Sequence, residues 1–545
     1  MKFDEDLNCA DYFLYDRLSE GREDHPAILF GDYSYTYKDI AKATDGLRRY
    51  FQEVGLRREE RVLIILPDVP PFAWSLMATY AEGAVACMGN PHAPTKNWQY
   101  LLDYARASVL ITVPRVAKEL VDDMVASPEL RSVLLVPEVA TGVNPEQSVE
   151  MPTLGDIEFE VHPMTEAIES GHQLGSPKKV STHRDDICMW LFTSGSTGHP
   201  KAAMHTHRDF AFNTEVYAKN TVGYQKDDIT LSVPRLFFGY ATGTNLLFPM
   251  AVGATTALFS ERCMSETLSN MVKKVSPTIV TNVPTMMGKL IDYDDELKSN
   301  GDEPLDFSSV RFHLSAGEAL PPSLLERFTE RFGAEVYDGI GSAEMFHIYC
   351  SNRPNGIYPG SLGQCVEGYE LRLLPRQASG PGAEEVEIGE IGVLWVKGDS
   401  VSLGYVQDRD KSWKTFHGHW CRTGDLFRKD DRGCFWFCGR DDDLFKVSGI
   451  WVSPIEVENC LMTHEKVALA AVIPVKQDGL IKPRAYVIPR VGVSVEEKLK
   501  TELQSYCKDT LSKHKYPREV VFVSDLPKND RGKIDRKRLK SEAST

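Results

Sequence analysis

The densest chemistry in this chain lies at Thr193-Ser-Gly-Ser-Thr-Gly-His-Pro-Lys201. Two glycines let a backbone come close to a ligand, the hydroxyls donate hydrogen bonds, and the lysine brings positive charge. Those are the groups that hold a polyphosphate. A Walker A loop is excluded, because His199-Pro200-Lys201 follows Gly198 and Ala202 stands where that loop needs Ser or Thr. Further on, Glu318, Asp338 and Asp425 stand beside glycines, Glu344 lies between Ala343 and Met345, and Lys533 falls in the basic run Pro527 to Lys537. A carboxylate can hold a hard cation or accept from a sugar diol, while on residue type alone these acids read as turn or surface residues and Lys533 as a solvated lysine of its basic run.

Elements must position these groups. Ile187-Cys-Met-Trp-Leu-Phe192 reads as an apolar strand leading into the hydroxyl-rich loop. Val62–Leu66, Ser108–Val113, Val133–Val136, Thr278–Thr281 and Val310–Leu314 read as further buried strands. A helix is expected over 71–84, and an amphipathic pattern runs on to Val125. This alternation predicts α/β layers with largely parallel sheets. From Gly363 to Phe437 short strands with Gly, Asp and Pro turns predict a β-rich unit. Beyond Gly439 the cluster Asp441-Asp442-Asp443 looks like a hinge. A compact α+β unit of about 100 residues then follows. The expected division is 1–440 and 441–545. Thr141 to Glu150 and Pro375 to Glu385 read as surface loops. Cys434, Trp436 and Cys438 alternate, which predicts that they share the buried face of a strand.

The 545 residues carry 62 basic against 78 acidic side chains, a net charge of −16. That balance disfavours general binding to nucleic acid or anionic lipid, while leaving room for a local phosphate pocket. With 42% hydrophobic residues the chain can build a sizeable core, which excludes wholesale disorder. Eleven scattered cysteines, an odd number, argue against a disulfide framework. No apolar signal core or membrane-length apolar run is found, so a cytoplasmic location is expected.

Taken in order, the motifs resemble those of the adenylate-forming superfamily, which includes acyl-CoA synthetases, nonribosomal peptide adenylation domains and firefly-type luciferases. Thr193, Ser194, Gly195, Ser196, Thr197, Gly198 and Lys201 resemble its phosphate loop. Ser315-Ala316-Gly317-Glu318 resembles the adenine segment, and Asp338-Gly339-Ile340-Gly341-Ser342-Ala343-Glu344 the segment whose glutamate associates with Mg²⁺. The resemblance implies that Asp425 holds the ribose hydroxyls, with Phe437 and Arg440 beside the nucleotide. It implies a hinge at Asp442 and a pantetheine tunnel lined by Lys446, Ser448 and Gly449. It also implies a catalytic Lys533 that bridges the carboxylate and the α-phosphate. ATP, Mg²⁺ and coenzyme A are the implied cofactors and substrates.

Arg235-Leu-Phe-Phe-Gly-Tyr-Ala-Thr-Gly-Thr-Asn245 and Phe248-Pro249 resemble benzoate–CoA ligases most closely. Phe237, Phe238, Gly239, Tyr240, Ala241 and Thr242 are then expected to form a flat, apolar slot for a ring. Ala241-Thr242 replaces the usual Gly-Leu, which changes the slot's volume and polarity. Ala343 replaces the usual threonine, which removes one donor to the nucleotide phosphates. The implied activity is AMP-forming ligation of a cyclic carboxylic acid, aromatic or alicyclic, to CoA. A stand-alone enzyme that loads a carrier protein, and a non-catalytic nucleotide- or acyl-binding protein, are the alternatives.

Overall fold

Strands Val85–Met88, Arg61–Ile65, Ala107–Thr112, Ser132–Leu135 and Glu160–Pro163 lie side by side and parallel. Residues 61–65, 85–88, 107–112 and 132–135 are almost entirely buried, as parallel strands covered on both faces must be. The computed structural model describes residues 1–152, 157, 159–193, 199–447, 450–477, 480–490, 492–527 and 534–543. Ile187–Thr193 joins the sheet parallel to Val85–Met88, and Lys201–Thr206 returns antiparallel at its edge. Helix Pro70–Ala81 is buried at every position. A helix that is apolar all round belongs in an interior, and its two leading prolines sit at the first turn, where no N–H partner is lost.

A second sheet of nine strands has the parallel centre Pro26–Phe30, Thr255–Leu258, Ile229–Ser232, Ile279–Asn282, Phe312–Ser315 and Glu335–Gly341. Antiparallel strands close both ends, with Ile348–Ser351 next to Glu335–Gly341. The expected β-rich unit is a five-stranded antiparallel sheet built from residues 370–440. The C-terminal residues form a separate core from Phe445 to Val520, under a three-stranded sheet and the helices Pro454–Met462 and Glu497–Thr510. The predicted α/β architecture with a small C-terminal α+β unit is therefore present.

Two local expectations are corrected. The amphipathic stretch to Val125 is two short helices, Pro114–Glu119 and Val121–Val125, broken at Leu120, which has φ −105° and ψ 9° and is fully buried. Burying Leu120 outweighs continuing the helical ladder there. In strand Phe435–Arg440 the buried side belongs to Phe435, which packs with Phe437 near Phe427. Cys434, just before the strand, is buried as expected, whereas Trp436 and Cys438 are only half-buried. Trp436 donates to Asp430 Oδ2 at 3.1 Å and lies under the Arg428 guanidinium. Its indole N–H needs a polar partner, which puts it toward the rim. All eleven cysteines are free thiols. No helix among the described residues is long and apolar enough to cross a membrane.

Candidate active site

The hairpin Ile187–Thr193 and Lys201–Thr206 pairs Thr193 with Lys201, so the ladder closes at the base of the phosphate-type loop. Ser194, Gly195, Ser196, Thr197 and Gly198 lie outside the described residues. The far rim is fixed by Tyr100, which donates to Pro200 O at 2.9 Å and stacks on His199. Lys201 Nζ sits 4.9 Å from the centre of the Tyr405 ring and 3.8 Å from Asp408. Partial burial lowers its pKa. Residues 403–406 run beside the hairpin: Leu403 N–H and Met204 N–H donate to Met204 O and Gly404 O, and Val406 N–H donates to Ala202 O.

Strand Glu335–Gly341 leads directly into a short 3₁₀ turn, Ala343–Met345. Gly341 is required by its neighbour: a Cβ there would lie 2.4 Å from His347 O. Glu344 Oε1 accepts from the Tyr405 hydroxyl at 2.7 Å. Burial, and then the Glu344 carboxylate, push the Tyr405 phenol up, so it stays a proton donor. Ser402 N–H donates to Glu344 O, and Ser400 Oγ donates to Met345 O, both at 2.9 Å. Beyond the turn, Phe346 has φ 65° and ψ −58°, and His347 N–H donates back to Met345 O at 2.9 Å. That is a γ-turn of the strained kind, costing about 1–3 kcal/mol. Ala343 is half-buried, and its carbonyl is held by His205 Nε2 at 2.6 Å.

The adenine-type segment is also assembled. Ala316 is buried, Gly317 has φ +90°, and Glu318 Oε2 accepts from the Thr285 N–H and hydroxyl. Asp338 is buried, and its Oδ1 has no hydrogen-bond partner among the described residues. Burial pushes its carboxyl up to about 8. Such an orphaned oxygen suits a ligand amine. Gly339 and Ile340 pair with Ser351 and Cys350. Ser342 Oγ is a second buried orphan. In the five-stranded sheet, Asp425 Oδ1 accepts from Arg440 Nη1 at 2.7 Å. Phe437 sits half-buried three residues before Arg440.

The acyl-type segment begins with Phe237 and Phe238, whose ring centres are 4.4 Å apart. Gly239–Thr242 forms a single helical turn. Tyr240 packs its ring 5.3 Å from His347, and its hydroxyl is buried without a partner among the described residues. His347 Nε2 lies 3.0 Å from Tyr240 O. A carbonyl only accepts, so Nε2 carries the proton and Nδ1 is left as a buried acceptor. Burial lowers the His347 pKa to about 4. Gly243 makes room for this ring, since a Cβ there would lie 2.6 Å from it. Ala241 and Thr242 are fully buried. Thr242 Oγ1 lies 2.5 Å from Leu236 O and 3.0 Å from Phe238 O, so its hydroxyl serves the local backbone. The sequence alone could not show that use.

Near the expected hinge, Asp441 receives Arg376 at 2.6 Å and Arg422 at 2.9 Å, and Trp451 lies under the Arg376 guanidinium at 4.3 Å. Asp442 is exposed, and Lys446 is exposed with its ammonium 4.7 Å from the Trp451 ring. Ser448, Gly449 and Lys533 lie outside the described residues. The flanks of the Lys533 loop are fixed: Asp535 N–H donates to Pro527 O at 2.7 Å, and Arg536 donates to the buried Glu458 at 2.6 Å.

Sequence reasoning did not select Tyr405, His205 or Asp209, and it gave His347 no role beyond its place in a run shared with benzoate–CoA ligases. The one local signal was Thr206-His-Arg-Asp209, a capping box at the start of helix His207–Asn213.

The AMP-binding enzyme family matches residues 15–406, and the AMP-binding enzyme C-terminal domain matches residues 456–533. The chain is 34% identical to a benzoate–CoA ligase of Thauera aromatica, over 99% of this chain and 97% of that one. It is 32% identical to a 4-hydroxybenzoate–CoA/benzoate–CoA ligase of Rhodopseudomonas palustris, over 97% and 93%. An anthranilate CoA ligase solved with anthranoyl-AMP superimposes with TM-score 0.88 at 31% identity, covering 100% of this chain and 99% of that one. A benzoate CoA ligase from Burkholderia xenovorans superimposes with TM-score 0.84 at 32% identity, covering 98% and 100%. The ordered motifs, the three large sheets with a small C-terminal unit, and relatives matching along nearly the whole chain make this protein a member of the AMP-binding, adenylate-forming enzyme family.

Proposed function

We propose that this protein is an AMP-forming acid–CoA ligase that activates an aromatic carboxylic acid. One observation carries the reading. The aromatic acyl-type segment and the turn that carries Glu344 share His347, which touches Tyr240 and follows Glu344 by three residues. An acid bound along that segment would lie next to the groups that handle ATP. The benzoate, hydroxybenzoate and anthranilate ligases among its relatives support an aromatic acid.

In the first half-reaction a carboxylate oxygen attacks the α-phosphorus of ATP, forming acyl-AMP and releasing pyrophosphate. Two unit charges 4 Å apart repel by about 4 kcal/mol at an effective dielectric of about 20. Lys533 and Lys201 offset that repulsion. Glu344, a hard oxygen donor already oriented by Tyr405, fits Mg²⁺. The ion would supply charge neutralisation at the phosphates. Asp425 receives the ribose hydroxyls, and Asp338, Gly339, Ile340 and Ser342 line the base. Thr193 to Gly198 take the phosphates. In the second half-reaction the CoA sulfur attacks the acyl carbonyl and AMP leaves.

We read residues 441–545 as the mobile unit. Rotation about Asp442 would exchange Lys533 for the tunnel residues Lys446, Ser448 and Gly449. A cytoplasmic setting fits its substrates, ATP and CoA. The test is kcat/KM for benzoate, hydroxybenzoates, anthranilate, cyclohex-1-ene carboxylate, cyclohexane carboxylate, octanoate and acetate. An aromatic acid is expected to rank first. Highest efficiency on octanoate or acetate would refute the ring slot, and transfer to a phosphopantetheinylated carrier but not to CoA would move the assignment to carrier loading.

A further inference from the structure

The turn that carries Glu344 is gripped from two directions by side chains outside every motif that suggested the function. His205 is fully buried. Its Nδ1 lies 2.7 Å from Asp209 Oδ2 and its Nε2 lies 2.6 Å from Ala343 O. The carbonyl can only accept, so Nε2 donates. Asp209 in turn caps the helix through Thr206, which ties the ring to a rigid element. Phe210 and Phe346 flank the ring. From the other side, Tyr405 donates to Glu344 Oε1 at 2.7 Å, leaving Oε2 for another partner.

Tyr405 also separates two opposite charges. Its ring faces the Lys201 ammonium at 4.9 Å while its hydroxyl meets Glu344. Lys201 keeps a 3.8 Å contact with Asp408, and the Tyr405 ring stands between it and Glu344, so the Glu344 carboxylate does not close into a direct ion pair with this lysine. The bridge between Tyr405 and Ala203 ties this spacer to the same hairpin that carries Lys201.

We propose that Tyr405 and His205 are positioning residues for Glu344, Tyr405 aiming its carboxylate and His205 fixing its main chain through the Ala343 carbonyl. The proposal rests on the reading of Glu344 as the magnesium-associated carboxylate. Residues that orient a metal ligand in this way commonly change metal affinity or activity by about 10- to 100-fold when removed.

The test uses the full-length enzyme and four variants: Glu344→Gln, Tyr405→Phe, His205→Leu and His205→Gln. A glutamine amide can reach the same carbonyl, so His205→Gln is the conservative rescue. Mn²⁺ binding in the presence of ATP, without acid, is followed by the electron paramagnetic resonance of free Mn²⁺. Mg²⁺ dependence of adenylate formation, thioester formation from preformed benzoyl-AMP, and the unfolding temperature are measured in parallel. Tyr405→Phe and His205→Leu are expected to weaken Mn²⁺ binding and raise the half-saturating Mg²⁺ concentration by about 10-fold or more. His205→Gln should recover most of this, and the thioester step should stay within about twofold of wild type. If Glu344→Gln shifts metal dependence but Tyr405→Phe and His205→Leu do not, the positioning roles are overturned while Glu344 stands. If Glu344→Gln leaves metal dependence unchanged, the reading of Glu344 fails, and the proposal with it. Equal loss of both half-reactions together with a lowered unfolding temperature would reduce both residues to structural roles. Should His205→Leu not fold, Tyr405→Phe and His205→Gln decide alone.

Discussion

Asp425 and Arg440 face each other as register partners across the ladder joining strands Trp420–Lys429 and Phe435–Arg440, with Oδ1 and Nη1 2.7 Å apart. The sheet therefore holds the carboxylate in place before any ribose arrives. Hydrogen bonds to a charged group contribute about 1.5–3 kcal/mol each. Asp425→Asn is expected to raise KM for ATP by about 10- to 100-fold, converting that range, with thermal stability nearly unchanged. Arg440→Gln should raise it less, because it loosens the carboxylate without removing it. Steady-state kinetics over an ATP series reads both.

The two half-reactions should separate by mutation. Lys533→Ala is expected to abolish acyl-AMP formation from acid and ATP yet still convert preformed acyl-AMP and CoA to thioester. If Gly449 lines the proposed tunnel, Gly449→Leu should show the reverse. Single-turnover assays of each half-reaction provide the check, and parallel losses in both variants would rule out the rotation.

Thr242 looks from its sequence position like a wall of the ring slot, and Thr242→Leu would then shift preference toward flat rings. Its hydroxyl instead lies between Leu236 O and Phe238 O in a fully buried site. Leucine would remove that hydrogen bond and overpack the site, costing about 1–3 kcal/mol. Thr242→Leu is expected to lower the unfolding temperature and to reduce kcat/KM for all ring acids together. A change of ranking at unchanged stability would restore the wall reading.

Acid and alkali should destabilise the free enzyme through different residues. The Asp338 carboxyl, raised by burial to about 8, binds a proton more tightly folded than unfolded. Its contribution is therefore full below its unfolded value of 3.8 and is lost as pH rises to about 8. His347, lowered by burial to about 4, acts oppositely, and its contribution fades as pH falls from 6.5 through 4. Asp338→Asn should flatten the decline in unfolding temperature between pH 5 and about 8.5, leaving the acid limb intact. An unchanged profile would mean that Asp338 titrates normally.

Most of the fold was legible in the sequence because buried parallel strands such as Ala107–Thr112 are continuous apolar runs, and turn signals bound them. The motifs that mark the family were legible because each is local. Tyr405 and His205 were not, since their bonds to Glu344 and Ala343 span 61 and 138 positions and only the folded chain brings them together. Leu120 ended a helix that its own residue type would continue. Trp436 faced outward because its N–H sought Asp430, a partner that period-two alternation does not encode.

The γ-turn at Phe346 sets backbone strain against ring packing. A bulky residue at φ 65° withholds about 1–3 kcal/mol from the folded state, and the burial of its ring against Phe210 and His347 offsets that cost. The same constraint fixes the direction in which Glu344 and His347 leave the chain. Phe346→Gly would relieve the strain but delete that buried ring, costing about 3–5 kcal/mol, so an engineer seeking heat resistance would lose melting temperature here and loosen the turn that carries Glu344. The route to a tougher catalyst runs instead through surface positions remote from residues 343–347.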